Sequence, residues 1–299
     1  MKTALIFSGQ GSQYIGMNNI FVKNHIEIAQ KFFDLSSQIL RYDIEDVISN
    51  GPAEKLNNTK FTQPSIFIIS AIAYEICKKK GIKADFYAGH SVGEITALYA
   101  AKSLTFKDAL LFIQKRAEYM EIASKNNPGK MLAIINSRSE DIKSILQKDK
   151  TISIANINSS NQIILSGTAI SIDKIIPFCK REKIKCIPLP VSGAFHCNLM
   201  KSASDSLLKT LNQLNLEDSM MPIYQNINAL PESSNEKLRE NLKKQIISTV
   251  KWKQTIDNMV KDKALKFIEV GPKKILTNLL KKSHPDITCL SFEELIQDE

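Results

Sequence analysis

Three shortages narrow the possibilities before any motif is read. The 299-residue chain has five cysteines, Cys77, Cys179, Cys186, Cys197 and Cys289, an odd number with no C-x-x-C spacing. That argues against a disulfide framework and against a zinc site, and it suits a reducing cytoplasm. Long apolar runs are missing as well: the longest, around residues 66–73, falls well short of the roughly 20 residues a membrane-spanning helix needs. The apolar start at residues 4–7 stops at Ser8-Gly9-Gln10-Gly11, with no longer h-region or small-residue cleavage site. It therefore reads as a first strand entering a glycine turn and not as a signal peptide. Arginine is the third scarcity, with Arg41, Arg116, Arg138, Arg181 and Arg239 among 40 basic residues. The net charge of +9 is mostly dispersed lysine, with no run longer than Lys78-Lys79-Lys80, whereas a nucleic-acid binder would show a clustered basic stripe. Such a surface steers toward an acidic partner or a phosphate-bearing substrate without specifying either.

What is present is an ordinary globular balance, 43% apolar and 24% charged, which excludes disorder and collagen. Short apolar runs ending in glycine alternate with helical periodicity, the pattern of an α/β protein with a mainly parallel sheet. Strands are predicted at residues 4–7 and 86–88. Helices are predicted at 62–79, with Pro64 in the first turn and Gly81 beyond the end, at 94–102, and at 105–124 behind a capping threonine. The pattern changes at Asn126-Asn127-Pro128-Gly129. From there it reads strand 131–135, helix 139–147, strand 152–156, strand 162–166, helix 170–181, strand 185–188, the βαββαβ order of a ferredoxin-like unit. The expected organisation is a large domain formed by 1–127 and 191–299, including a strand at 265–270, with a small subdomain at 128–190 inserted in it.

Gly89-His90-Ser91-Val92-Gly93 fits G-x-S-x-G between a predicted strand and a predicted helix. A sharp strand-to-helix turn projects the serine hydroxyl, its flanking glycines admit the close approach, and the Val92 N–H faces the same space. Serine needs a base to become a nucleophile, and the chain offers four histidines. His25 and His284 have no evident role. His90 adjoins the serine and suits a supporting one. His196 stands where the chain re-enters the large domain, which makes it the best base. No acidic residue marks itself as a third triad member, and a backbone carbonyl would serve to hold the imidazole tautomer. Gly9-Gln10-Gly11-Ser12-Gln13 is a polar glycine turn in which the Gln10 amide or backbone N–H can donate to an oxyanion. It matches neither nucleotide-binding glycine pattern.

Together these residues resemble the malonyl-CoA:acyl-carrier-protein transacylase family, over nearly the whole chain. The marks are Phe7-Ser8-Gly9-Gln10-Gly11-Ser12-Gln13, Thr62-Gln63-Pro64, Gly89-His90-Ser91-Val92-Gly93-Glu94, Arg116 with Met120, Ser166-Gly167, Val191-Ser192 through His196 to Leu199-Met200, and Glu269-Val270-Gly271-Pro272. The resemblance implies a large α/β-hydrolase-like domain with a ferredoxin-like subdomain, and an acyltransferase working by a ping-pong route. Ser91, deprotonated by His196, takes the malonyl group from malonyl-CoA. Gln10 and Val92 hold the oxyanion, and the phosphopantetheine thiol of an acidic, transiently bound acyl carrier protein receives the group. The carbonyl of Gln245 takes the place of the missing acid. Arg116 is implied as a clamp on the malonyl carboxylate, a task for which a planar guanidinium suits better than lysine. Phe195, His90 and Met120 are implied at the substrate. No metal and no resident cofactor is expected, nor any nucleic-acid or membrane partner.

Some positions depart from the commonest pattern: Ser8 for a usual proline, Ala117 for a glycine, Ala194 for a frequent proline, and Ser248-Thr249 for Asn-Pro. The Gly-Ala-Phe-His form looks more like trans-acting polyketide acyltransferases than fatty-acid enzymes. Two other functions fit parts of the chain. A serine acyl hydrolase editing carrier proteins would need the elbow but no carboxylate clamp, and a non-catalytic binding module would use only the basic surface.

Overall fold

The computed structural model describes residues 2–22 and 25–297. Its strands, in chain order, are β1 (Lys2–Phe7), β2 (Phe86–Gly89), β3 (Gly129–Ile135), β4 (Ser153–Ser159), β5 (Gln162–Thr168), β6 (Lys185–Pro188), β7 (Ile223–Tyr224), β8 (Pro231–Glu232), β9 (Ala264–Val270) and β10 (Thr288–Ser291). They form a six-stranded sheet, order β10-β9-β1-β2-β7-β8, and a four-stranded sheet, order β4-β5-β3-β6. The larger sheet is parallel apart from the β7–β8 hairpin at one edge.

Alternation along β1 explains why its short run is apolar on both sides. Leu5 and Phe7 enter one core cluster with the helix Thr59–Lys79, while Ala4 and Ile6 enter another with Trp252, Met259 and Phe267. A parallel strand covered on both faces has no polar position to spare. The carboxyl ends of β1 and β2 carry the Gly9–Gln13 turn and the serine motif, the end of an open parallel sheet where ligand sites lie.

The helix Thr59–Lys79 begins three residues earlier than periodicity suggests, because Asn58 caps it by accepting from Lys60 N–H. Pro64 therefore lies in the second turn and not the first. β7, β8 and β10 have no counterpart among the expected strands; each is four residues or fewer, too short to show a period.

The small sheet draws all its strands from residues 129–188, antiparallel throughout, and the helices Ser139–Lys148 and Ala169–Arg181 pack on it through Ile142, Ile145, Ile172 and Ile175. Its β4 edge is joined to the rest of the chain. Val250 N–H donates to Ala155 C=O at 2.8 Å, its C=O accepts from Ile157 N–H at 2.9 Å, and Thr249 Oγ1 donates to Ile154 C=O. Among the described residues no helix is long and apolar enough to cross a membrane.

Candidate active site

Ser91 sits at φ +53°, in the left-handed region that non-glycine residues avoid, between β2 and the helix Gly93–Ala100. Its two flanking glycines make the turn possible. A Cβ on Gly89 would stand 2.0 Å from the Gly93 backbone, and one on Gly93 would stand 2.3 Å from the Phe7 carbonyl oxygen. Strand and helix thus approach closer than any side chain allows, and the serine is left at the apex.

Ser91 Oγ lies 2.8 Å from His196 Nε2, and His196 Nδ1 lies 3.0 Å from the Gln245 carbonyl oxygen. A carbonyl can only accept, so Nδ1 carries the proton and Nε2 is left as an acceptor. The serine hydroxyl therefore donates to Nε2. Burial, reinforced by the nearby Arg116 charge, drives the His196 pKa down to about 3 and keeps the ring a neutral base. His196 has φ +57° and sits in a loop pressed against neighbouring elements: a Cβ on Gly193 would meet Ser124 Oγ at 2.0 Å, and Cys197 Sγ donates to the Ala194 carbonyl.

Arg116 is 1% exposed, on the helix Phe106–Asn126. Its Nη1 donates to Gln63 Oε1 at 2.5 Å, and its Nη2 donates to Ser91 Oγ at 3.1 Å and to Gln245 Oε1 at 3.0 Å. Each of these acceptors is neutral, and among the described residues Nε has no partner. Burial lowers the guanidinium pKa to about 10, with the Glu94 charge acting in the opposite direction, so it remains a cation at neutral pH. Glu94 is itself buried and pushed up to about 7. A buried cation with no contacting carboxylate is costly unless an anion arrives to meet it.

The remaining sequence candidates divide. The Gln10 side-chain amide donates at 3.3 Å to Thr59 Oγ1, which is 3.1 Å from Ser192 Oγ. Val92 is the cap residue of the elbow helix, and its N–H stands at the positive end of the helix dipole. Met120 accepts from Gln63 Nε2 through Sδ, so it touches the side chain that holds Arg116. Phe195 is buried beside Gly193. His90 is engaged with the small sheet: Nε2 is 2.8 Å from Asn158 Oδ1, and its ring packs edge-on to Trp252. The sequence shows Gln63 only as part of a motif and gives no sign of Asn226, whose side chain bonds to the backbone on both sides of His90. A lone asparagine after a two-residue strand carries no local signal.

Known proteins of one family are similar to the chain over nearly its whole length. The family model described as "Acyl transferase domain" matches residues 4–295. A malonyl CoA-acyl carrier protein transacylase of Bacillus subtilis (strain 168) is 36% identical over 98% of this chain and 94% of its own. An acyl-carrier-protein-S-malonyltransferase from Bartonella henselae superposes with a TM-score of 0.93 at 29% identity, covering 98% and 96% of the two chains. The protein named MCAT from Streptococcus pneumoniae gives a TM-score of 0.90 at 35% identity over 97% and 95% of the two chains. With this match over nearly its whole length, and a serine–histidine–carbonyl relay on the fold these proteins share, the chain belongs to the acyl transferase family.

Proposed function

We propose that this acyltransferase moves a malonyl group from malonyl-CoA to the phosphopantetheine thiol of an acyl carrier protein, in fatty-acid or polyketide synthesis, through a malonyl-Ser91 intermediate. The observation that carries the reading is Arg116: a buried guanidinium held only by neutral acceptors, 3.1 Å from Ser91 Oγ. The malonyl carboxylate is the counter-ion this cation lacks, and gripping it places the thioester carbonyl beside the serine.

In acylation Ser91 Oγ attacks the thioester carbon while His196 Nε2 takes the hydroxyl proton. The Gln245 carbonyl steadies the resulting imidazolium at Nδ1. The oxyanion is met by the backbone N–H groups of Gln10 and Val92, which need no reorganisation as charge develops. Collapse breaks the C–S bond, and the CoA thiolate leaves with the proton returned by His196. The carrier thiol then repeats the sequence in reverse, giving its proton to His196 and restoring the Ser91 hydroxyl. The phosphopantetheine arrives on an acidic partner that binds transiently, and a cytoplasmic location suits cysteines held as free thiols.

Incubation with malonyl-CoA is expected to leave a malonyl mass increment on Ser91 that passes to a carrier protein. Label on the Ser91→Ala variant would refute the nucleophile, and faster release to water than to the carrier thiol would favour the editing hydrolase. Arg116→Ala is expected to lower kcat/KM for malonyl-CoA by about 10²- to 10³-fold and to accept acetyl-CoA better, since a desolvated charge pair is lost. Unchanged selectivity would remove the clamp. Side-by-side transfer to fatty-acid and polyketide carrier proteins distinguishes the pathways.

A further inference from the structure

We infer that Asn226, anchored by Glu94, is the positioning residue that holds Ser91 at the apex of the elbow. The inference rests on Ser91 being the nucleophile proposed above, and adds what keeps it there.

β2 and β7 pair for only two residues, Tyr87 with Ile223 and Ala88 with Tyr224. Beyond that point the backbone of β2 turns into the elbow and the ladder ends. The Asn226 side chain takes over where the backbone stops: its Oδ1 accepts from Ser91 N–H at 2.8 Å, and its Nδ2 donates to the Gly89 carbonyl at 2.7 Å. One planar amide thus supplies an acceptor and a donor to the two peptide groups that bracket His90, as a neighbouring strand would. The bond to Gly89 is buried, that to Ser91 is part-buried, and Asn226 is 1% exposed.

The amide is itself fixed from two sides. Asn226 N–H donates to Glu94 Oε2 at 2.5 Å, and its carbonyl accepts from Lys251 N–H at 2.9 Å. Glu94 Oε1 accepts from Gln225 Nε2. Because Glu94 lies in the first turn of the helix that follows Ser91, strand, elbow and helix are tied to one loop at residues 225–226. Asn226 thus holds the backbone that enters Ser91, while Gln245 Nε2 donates to the Ser91 carbonyl at 3.0 Å on the far side, so leaving the left-handed conformation strains hydrogen bonds on both sides of the serine. An aspartate at 226 would fit the space but turn a second acceptor toward the Gly89 carbonyl.

The test separates positioning from folding. The wild-type protein, Asn226→Ala, Asn226→Ser and Asn226→Asp are mixed rapidly with malonyl-CoA, and the rate of Ser91 labelling is normalised to the number of sites finally labelled. Rates per labelled site are expected to fall about 10- to 100-fold, the cost of a reacting atom displaced by about 1 Å. KM for malonyl-CoA should stay within about twofold, because the Arg116 guanidinium and its Gln63 partner are untouched, and the pH profile should keep its acid limb, because the bond from His196 to the Gln245 carbonyl is untouched. Asp is expected to be slower than Ser. If Asn226→Ala is insoluble, Ser and Asp carry the same criterion. Normal rates per site, with only the melting temperature or the number of active sites reduced, would overturn the inference and show a purely structural residue. Failure of the wild-type protein to label Ser91 would instead remove the nucleophile, and the proposed function with it.

Discussion

Ser91 and His196 share an uncommon backbone, φ +53° and +57°, but the molecule holds them there by different means. At Ser91 the constraint is backbone against backbone: Gly89, Gly93 and the Phe7 carbonyl leave no room, and hydrogen bonds from Asn226 close the turn. At His196 the constraint is side-chain packing, with Gly193 on Ser124, Ala194 on Gly129 and a single carbonyl receiving Nδ1. The nucleophile thus stands on a rigid turn, and the base on a loop whose position depends on what surrounds it. Backbone constraints admit no substitute, whereas packing constraints can be relieved by trimming the neighbour.

That contrast can be broken first at the reacting atoms. Ser91→Ala and His196→Ala should each reduce acyl transfer on the order of 10⁴-fold or more, and no additional loss is expected in the double variant because the two act as a unit. Additive losses would mean independent roles. Next come the glycines. Gly89→Ala forces a methyl group into backbone that cannot retreat, and should destabilise the fold by about 3 kcal/mol or more in denaturant titration. Gly193→Ala meets a side chain instead and should cost about 1–3 kcal/mol. Adding Ser124→Gly should recover activity in the Gly193→Ala background, at a helix penalty of about 1 kcal/mol, whereas no side-chain trimming should recover Gly89→Ala. Equal rescue at both sites would erase the distinction between the two regions.

The remaining contrast is in the pH dependence of stability. His196, depressed from 6.5 to about 3, binds fewer protons folded than unfolded, so its contribution is lost as pH falls through that window. Glu94 runs the other way. Raised from 4.5 to about 7, it contributes stability below pH 4.5 that is lost as pH rises through 7. The Glu94→Gln variant should therefore gain stability relative to the wild type between pH 4.5 and 8, read from denaturation midpoints. A constant difference across that range would show that Glu94 does not titrate there.

The same division explains what the sequence made legible. The elbow is specified within five residues, and the small sheet by six elements of regular periodicity, so both could be read locally. The pairing of His196 with Ser91 spans 105 positions and rests on elimination among four histidines, strengthened by the motif resemblance; that of Gln245 with His196 spans 49 and is legible through the resemblance alone. Asn226 was illegible for the same reason, since its partners are 135 and 137 residues away and its neighbours in the chain look like any polar loop. The displaced start of the Thr59–Lys79 helix had the opposite cause. Pro64 suggests a first turn, whereas the cap the structure uses is Asn58, six residues earlier.

The seam between Val250 and the edge of β4 bears on how such an enzyme could be rebuilt. Four residues separate Val250 from Gln245, whose carbonyl orients the base, so the tether spans roughly 15 Å at full stretch and less as folded. A chimera that imports a foreign segment at 128–190 would present a new edge to Val250 and retune the imidazole from a distance. Grafting the insert alone should yield a sluggish enzyme, and transplanting 246–250 with it should return the original speed.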